Sequence, residues 1–247
     1  MASFFTTKFI KLEETSSTND YTYNLLKLAK IKEGTVVSAL FQSEGKGQRG
    51  TKWESDYGKN ILMSIMLSPD ITIENQFEIN ICISLALHDF AKKYFYDKTK
   101  IKWPNDLLVK KGKLAGILIK NIIKKDKVKD VIVGIGMNVN QINFTNFSLK
   151  ATSFKRILNQ ECDLQKLQKE LLDCIESRYL QLKRNEFTKM KEDYLSVLYG
   201  FEKEKHYKIN NRKIKAKIVG IDEIGKLLLK FENGKIKKFS LKEVVYL

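Results

Sequence analysis

The sequence predicts an α+β fold: short strands with flanking amphipathic helices, followed by a small β-barrel-like tail. Three observations carry this reading. The runs "GTVVSALFQ" (34–42), "NILMSIMLS" (60–68) and "VKDVIVGIGMNVN" (128–140) are apolar and rich in β-branched residues, as buried strands are. Residues 75–96 and 163–184 instead repeat their apolar positions at helical spacing. After Gly200 the texture changes to short alternating strands broken by Asn-Asn, Ile-Gly and Asn-Gly turns.

Taken in order, Lys8 to Leu12 is short and extended. In "SSTNDYTYNLLKLAK", Thr18 or Asn19 is the expected N-cap of a helix carrying Tyr23, Leu25, Leu26 and Leu28. The strand 34–42 leads into a glycine-rich stretch, and the strand 60–68 is stopped by Pro69. Phe77, Ile81, Leu85 and Phe90 mark the helix within Asn75–Tyr96. "IKW", "DLLVKKGKLAGILIKNII" and "VKDVIVGIGMNVN" read as strands, with a turn at Lys111–Gly112. A long amphipathic helix over 163–184 and another over 186–199 precede the tail. The expected division is a larger domain over residues 1–199 and a small β domain over 200–247.

Bulk properties narrow the function classes. The chain has 247 residues, 43% hydrophobic and 11% aromatic, which is enough for a real core and argues against global disorder. No apolar run approaches the roughly 18 residues of a membrane helix, and the N-terminus makes a poor signal peptide. Cys82, Cys162 and Cys174 are odd in number and far apart, and His88 and His206 are isolated, so the sequence suggests reduced thiols in the cytoplasm and no zinc site. The net charge of +16 points to a polyanion such as nucleic acid, or to a compositional bias. Only five of the 45 basic residues are Arg, the residue nucleic-acid readers concentrate, so the second explanation is preferred and no specific DNA binding is expected.

"FQSEGKGQRGTKW" (41–53) contains a literal G-x-G-x-x-G at Gly45, Gly47 and Gly50. A dinucleotide fingerprint requires a strand before the glycines and a helix N-terminus after them. Here a polar loop leads into another strand, so the pyrophosphate would lack the helix dipole and its free N–H groups. A Walker loop fails for the same reason, and Lys52 follows Thr51 where that motif needs the reverse order. What remains is a glycine-rich loop carrying Lys46, Arg49 and Lys52, either a solvated hairpin or a cover that wraps an anion.

Other short stretches stand out. "ETSSTND" (14–20) crowds hydroxyls and an amide at a helix start, and "KWPND" (102–106) joins Trp, Pro, Asn and Asp at a kinked strand junction. "KLAGILIK" (113–120) and "VGIGMNV" (133–139) place Gly116, Gly134 and Gly136 inside strands, a weakness unless something packs closely on them. In the order "STN", "GKGQRG…W", "KWPNDL", "GKLAGIL", "GIGMNVN", these resemble the biotin–protein ligase family over nearly the whole chain. The resemblance implies a mixed, largely antiparallel sheet with flanking helices, similar to class II synthetase cores, and a small C-terminal SH3-like β-barrel. It also implies the site. Ser17, Thr18 and Asn19 would bind biotin, the first two near its ureido ring. Gln42 and the loop Gly45, Lys46, Gly47, Gln48 would close over biotin and the adenylate, and Gly116 would permit close packing against biotin. Lys113 would lie by the biotin carboxylate and the α-phosphate. Trp53 would fold over adenine, with Asn105 and Asn138 near the nucleotide.

The activity implied is ATP-dependent: biotin is activated as biotinyl-5′-AMP and passed to a lysine of a biotin carboxyl-carrier domain. Lys113 and Arg49 would offset the charge where two anions meet, with Mg²⁺ carried by the triphosphate. Asp106 would act as an anchor, or as a metal or acceptor-lysine partner. The family's loops commonly carry Arg where this chain has Lys46 and Gln48. Lys46 keeps the charge without the bidentate fork, and Gln48 loses the charge. Many relatives begin with a DNA-binding domain for which this chain has no room before its first motif, so a ligase-only form is expected. The rival readings are a lipoate- or other acyl–protein ligase of the same fold, and a nucleic-acid-binding protein.

Overall fold

The computed structural model describes Phe5, residues 8–144 and residues 151–247, without the side chain of Arg49. The first unit is built from β1 (Phe9–Thr15), α1 (Thr18–Lys27), β2 (Val36–Gln42), β3 (Asn60–Leu67), β4 (Ile71–Thr72), α2 (Phe77–Phe95), β5 (Thr99–Lys102), β6 (Asp106–Val109), β7 (Gly112–Lys124) and β8 (Lys127–Asn138). Then come α3 (Phe154–Leu158), α4 (Leu164–Lys183) and α5 (Phe187–Val197), and the tail holds β9 (Glu204–Ile209), β10 (Arg212–Ile221), β11 (Leu227–Phe231), β12 (Ile236–Phe239) and β13 (Val244–Tyr246).

The first eight strands form one sheet in the order β1-β2-β3-β8-β7-β6-β5, with β4 paired to β8. Only β1 and β2 run parallel and every other pairing is antiparallel, so the sheet is mixed and largely antiparallel, as expected. Helices cover both faces. On β3, Ser64 bonds to residues of α1, while its neighbour Met63 touches Gln168 of α4. Adjacent strand residues point to opposite faces, so α1 and α4 lie on opposite sides. All eight residues of β3 are buried, which explains its continuous apolar run. The tail is a five-stranded antiparallel sheet in the order β12-β11-β10-β9-β13. Its core residues Tyr207, Ile218 and Leu229 belong to the same apolar cluster as Ile65 and Leu85, so the core continues past position 200. A bond from Trp103 Nε1 to the Gly225 carbonyl (2.9 Å) ties "KWPND" to the tail.

On the α4 face, Arg178 joins three helices. It grips Asp89 of α2 with two nitrogens (2.6 and 3.2 Å) and Asp193 of α5 with a third (2.6 Å). Such a fork is the geometry guanidinium offers and ammonium does not.

Three local expectations shift. The N-cap of α1 is Ser17, not Thr18 or Asn19, because the side chains of those two are held elsewhere in the structure. The β6–β7 turn is Lys110–Lys111, one residue earlier than expected, and both have positive φ (51° and 74°), the geometry of a two-residue hairpin turn. The short helix α3 was unforeseen. Five residues are too few to display a period, and its start is marked only by the Ser153 cap.

One half-buried acid is expected to make the fold pH-sensitive. Glu78, in the first turn of α2, is raised to about 7 by burial, against a lowering influence from Lys191. Its Oε2 is buried with no hydrogen-bond partner among the described residues. A carboxyl whose folded pKa lies above its unfolded value keeps its proton longer in the folded state. Stability therefore falls as pH rises from about 4.5 to about 7 and is level above that. Glu78→Gln removes this loss, so its melting temperature relative to the parent protein is expected to climb between pH 5 and pH 8. A difference independent of pH in paired melting curves would contradict this.

Candidate functional site

Three glycines shape a floor at the centre of the sheet. Gly116 on β7 pairs with Gly136 on β8, and Gly134 pairs with Ser64 on β3 and Leu118 on β7. A methyl group on Gly134 would overlap the carboxamide of Asn19, one on Gly136 would overlap the indole of Trp53, and one on Gly116 would press on Trp53 and Lys113. The weakness of glycine in a strand is thus offset by side chains lying directly on the backbone. Above this floor is a cavity of about 530 Å³.

The N-terminus of α1 forms one end of the cavity, where Ser17, Thr18 and Asn19 are all nearly buried. Gln42, the last residue of β2, accepts from the Thr18 backbone N–H at 2.8 Å. Ser64 Oγ lies 2.8 Å from Thr18 Oγ1 and 2.6 Å from Asn19 Oδ1, and Asn19 Nδ2 donates to the Leu118 carbonyl at 3.1 Å. Each group of this end is therefore held by at least one neighbour.

The glycine-rich stretch forms the cover. No helix follows it. Gln48–Gly50 make a single 3₁₀ turn before the chain runs on to β3, so the element a dinucleotide fingerprint requires is missing. The stretch folds back on itself: Gly47 N–H donates to the Thr51 carbonyl at 2.7 Å, and Trp53 N–H to that of Gly45 at 2.8 Å. Lys46 forms an ion pair of 2.5 Å with Asp20 of α1, fastening the cover beside Asn19. Lys46, Gly47, Gln48 and Trp53 line the cavity, whereas Gly45 is buried behind it against the Trp53 carbonyl. The expected role of Arg49 falls on a side chain outside the described residues.

Lys113 and Asp106 form the opposite end. Lys113 Nζ is 2.7 Å from Asp106 Oδ1, and the two side chains are only 21% and 14% exposed. A register shift between Leu107 and Leu108 lies on the strand that carries Asp106. Lys113 Nζ also lies 5.5 Å from the centre of the Trp53 ring, within reach of a cation–π attraction. Asn105 lines the cavity and donates to the Ile117 carbonyl at 2.7 Å. Asn138 does not line it. Its Nδ2 donates to the carbonyls of Lys113 (3.4 Å) and Thr152 (3.0 Å), so it braces the backbone at Lys113. Lys102 is stacked 4.8 Å from the Tyr246 ring, and burial lowers its pKa, with Asp106 opposing that shift and Lys113 adding to it. Lys46, Lys52, Lys113 and Lys242 line the cavity with two carboxylates, Glu54 and Asp106, an excess of positive charge suited to an anion.

Sequence reasoning missed Ser64, Lys102, Leu241 and Lys242. Ser64 had a visible signal, a lone hydroxyl within the otherwise apolar "ILMSIML". Lys102 lay inside a motif already singled out. Leu241 and Lys242 reach the cavity from the tail, where no local pattern marks them.

Comparison with known proteins gives a consistent answer. Residues 12–138 match the biotin/lipoate A/B protein ligase family, and residues 208–244 match the biotin protein ligase C terminal domain. The chain is 34% identical over 209 residues to the bifunctional ligase/repressor BirA of Bacillus subtilis, covering 83% of this chain and 64% of that protein. It is 35% identical over 131 residues to the biotin–[acetyl-CoA-carboxylase] ligase of Paracoccus denitrificans, covering 52% and 53% of the two chains. Among solved structures, the biotin protein ligase of Aquifex aeolicus in complex with biotin and ATP superposes with a TM-score of 0.78 at 28% identity, over 97% of this chain and 98% of that one.

Proposed function

Since the chain belongs to the biotin/lipoate A/B protein ligase family, we propose that it is an ATP-dependent biotin–protein ligase acting on a lysine of a biotin carboxyl-carrier domain. One observation carries the reading: "STN", the glycine stretch, "KWPND" and "KLAGIL", far apart in sequence, line one cavity.

In the first step a biotin carboxylate oxygen attacks the α-phosphorus of ATP. A C–O–P linkage forms, the α–β phosphoanhydride bond breaks, and pyrophosphate leaves. Two anions must approach each other, and the ammonium of Lys113, anchored by Asp106, offsets their repulsion and the charge gathering at phosphorus. By the resemblance Arg49 is assigned to the phosphates, and Trp53 and Asn105, which line the cavity, to the nucleoside. Among the described residues no three His, Cys, Asp or Glu side chains cluster as a metal cage. Mg²⁺ is assigned to the triphosphate, as part of the nucleotide substrate.

In the second step the acceptor lysine amine attacks the carbonyl carbon of the anhydride. A C–N bond forms and AMP departs. The attacking amine must first lose its proton, and of the two carboxylates lining the cavity Asp106 is assigned to accept it. The cover over the cavity excludes water from the anhydride in the interval. The three cysteines are free thiols, which agrees with a reducing compartment, and no helix of the described residues is long and apolar enough to cross a membrane. We place the protein in the cytoplasm.

Exchange of labelled pyrophosphate into ATP tests the substrate. Biotin is expected to support exchange and lipoate is not; lipoate-dependent exchange without a biotin response overturns the reading. A further expectation concerns the cover. Gln48 lines the cavity without charge, so Gln48→Arg adds a cation facing the adenylate phosphate. It is expected to reduce escape of the adenylate, and with it the biotinylation of bystander lysines, by about five-fold if the added contact is worth about 1 kcal/mol. Equal labelling of a bystander protein by both forms would count against this.

A further inference from the structure

Register sets a row of residues across the sheet. Lys102 lies opposite Asp106, Asp106 opposite Gly116, and Gly116 opposite Gly136. Residues directly opposite one another share a face, so Lys102 stands on the face of the glycine floor, one step along the row from the carboxylate that holds Lys113. Both groups bear on its charge, Asp106 favouring the ammonium and Lys113 opposing it. Lys102 is half-buried, yet among the described residues it forms no ion pair, since Asp106 is taken by Lys113. Its partner comes from the tail: the Nζ lies 4.8 Å from the centre of the Tyr246 ring, within the range of a cation–π attraction. That ring is itself fixed. Tyr246 on β13 pairs with Tyr207 of β9, whose buried ring meets it edge-on at 5.3 Å, and the Tyr199 ring lies 6.1 Å away. The Tyr246 hydroxyl is buried with no hydrogen-bond partner among the described residues, so the residue contributes its ring and not its hydroxyl. Lysine is a point charge on a flexible four-carbon stem, and a fixed ring beneath it limits where that charge rests.

We propose that Tyr246 is a positioning residue that holds the Lys102 ammonium beside the Asp106–Lys113 pair, so that a tail residue completes the cationic end where the triphosphate reacts. The inference rests on the function proposed above. A half-buried ammonium without a carboxylate is stabilised in part by the negative face of the ring, and its remaining charge is available to an anion that arrives. Tyr246 does not line the cavity and acts through Lys102. Its loss is therefore felt at the triphosphate and spares the end formed by Ser17, Thr18 and Asn19.

The test is steady-state biotin-dependent ATP–pyrophosphate exchange by the full chain, for the unmodified protein, Tyr246→Leu, Tyr246→Phe, Lys102→Met and the double variant of Tyr246→Leu with Lys102→Met. Leucine keeps apolar packing and removes the π face, whereas phenylalanine keeps the face and removes the unpartnered hydroxyl. Tyr246→Leu is expected to lower kcat/KM for ATP about five-fold, the effect of a partly dehydrated cation–π contact. Its KM for biotin should stay within about two-fold of the parent, because nothing at the α1 end changes. Tyr246→Phe should match the parent. Lys102→Met should lose at least as much as Tyr246→Leu, and the double variant no more than Lys102→Met alone, since both changes act on one charge. Parent-like kcat/KM for ATP in Tyr246→Leu would overturn the inference, and so would an equal loss in Tyr246→Phe. A further loss in the double variant, or a parallel rise in KM for biotin, would also overturn it, because the ring would then act on packing and not through Lys102. If the unmodified protein shows no biotin-dependent exchange, the proposed function itself fails, and the inference falls with it for that separate reason.

Discussion

Lys113→Ala is expected to eliminate biotin-dependent ATP–pyrophosphate exchange, lowering its rate by about a thousand-fold or more, without unfolding the protein. A preorganised cation in a partly dehydrated cavity acts on charge that develops only as the carboxylate meets phosphorus, and losing one such group costs about 10²–10³ in rate. Lys113 also holds Asp106 at 2.7 Å, and removing it leaves that carboxylate with an oxygen that has lost its charged partner, which adds to the loss. The fold is expected to survive, because the Lys113 carbonyl, which accepts from Thr152 N–H and Asn138 Nδ2, belongs to the backbone and is kept in alanine. Exchange at the parental rate in a folded Lys113→Ala protein would remove Lys113 from the chemistry.

Gly134→Ala is expected to weaken biotin ten- to a hundred-fold while nucleotide binding changes little. The new methyl would occupy the place of the Asn19 carboxamide, which is gripped by Ser64 and the Leu118 carbonyl and cannot turn aside without breaking both contacts. Overpacking of this kind costs about 1–3 kcal/mol, which sets the range. The strain falls on the start of α1, where Ser17 and Thr18 also sit, and not on the Lys113 end. Calorimetric titration with biotin and, separately, with ATP measures the two sides; parental affinity for biotin would show that Asn19 does not need its place against the strand.

Much of this arrangement was legible in the sequence because it rests on local rules. The strands 36–42, 60–67 and 127–138 and the helices 77–95 and 164–183 lie within a few residues of where periodicity put them, since each buries a face that leaves its period in the chain. The glycines at 116, 134 and 136 announced a close approach, but not by what. Besides Lys113 over Gly116, the groups that lie on them are Asn19 and Trp53, brought there by a helix and a loop more than sixty residues away in sequence. The cap of α1 was displaced to Ser17 because Thr18 and Asn19 are committed to Ser64, Gln42 and Leu118, contacts that local propensity cannot register. Asn138 shares the face of Gly134 and Gly136, as its place in the strand suggested, but its amide is committed to the carbonyls of Lys113 and Thr152, which the sequence does not show. Leu241 and Lys242 were invisible for the same reason, since their approach to the cavity depends on how the tail docks, held in part by the bond from Trp103 to Gly225.

The central claim is that this cavity makes biotinyl-adenylate and delivers it to a protein lysine. The most direct measurement is the intact mass of a biotin carboxyl-carrier domain after incubation with the protein, ATP, Mg²⁺ and biotin. The claim predicts a gain of one biotinyl group on a single lysine, absent when ATP or biotin is withheld. A carrier domain that stays at its original mass, or that gains mass only when lipoate replaces biotin, would contradict it.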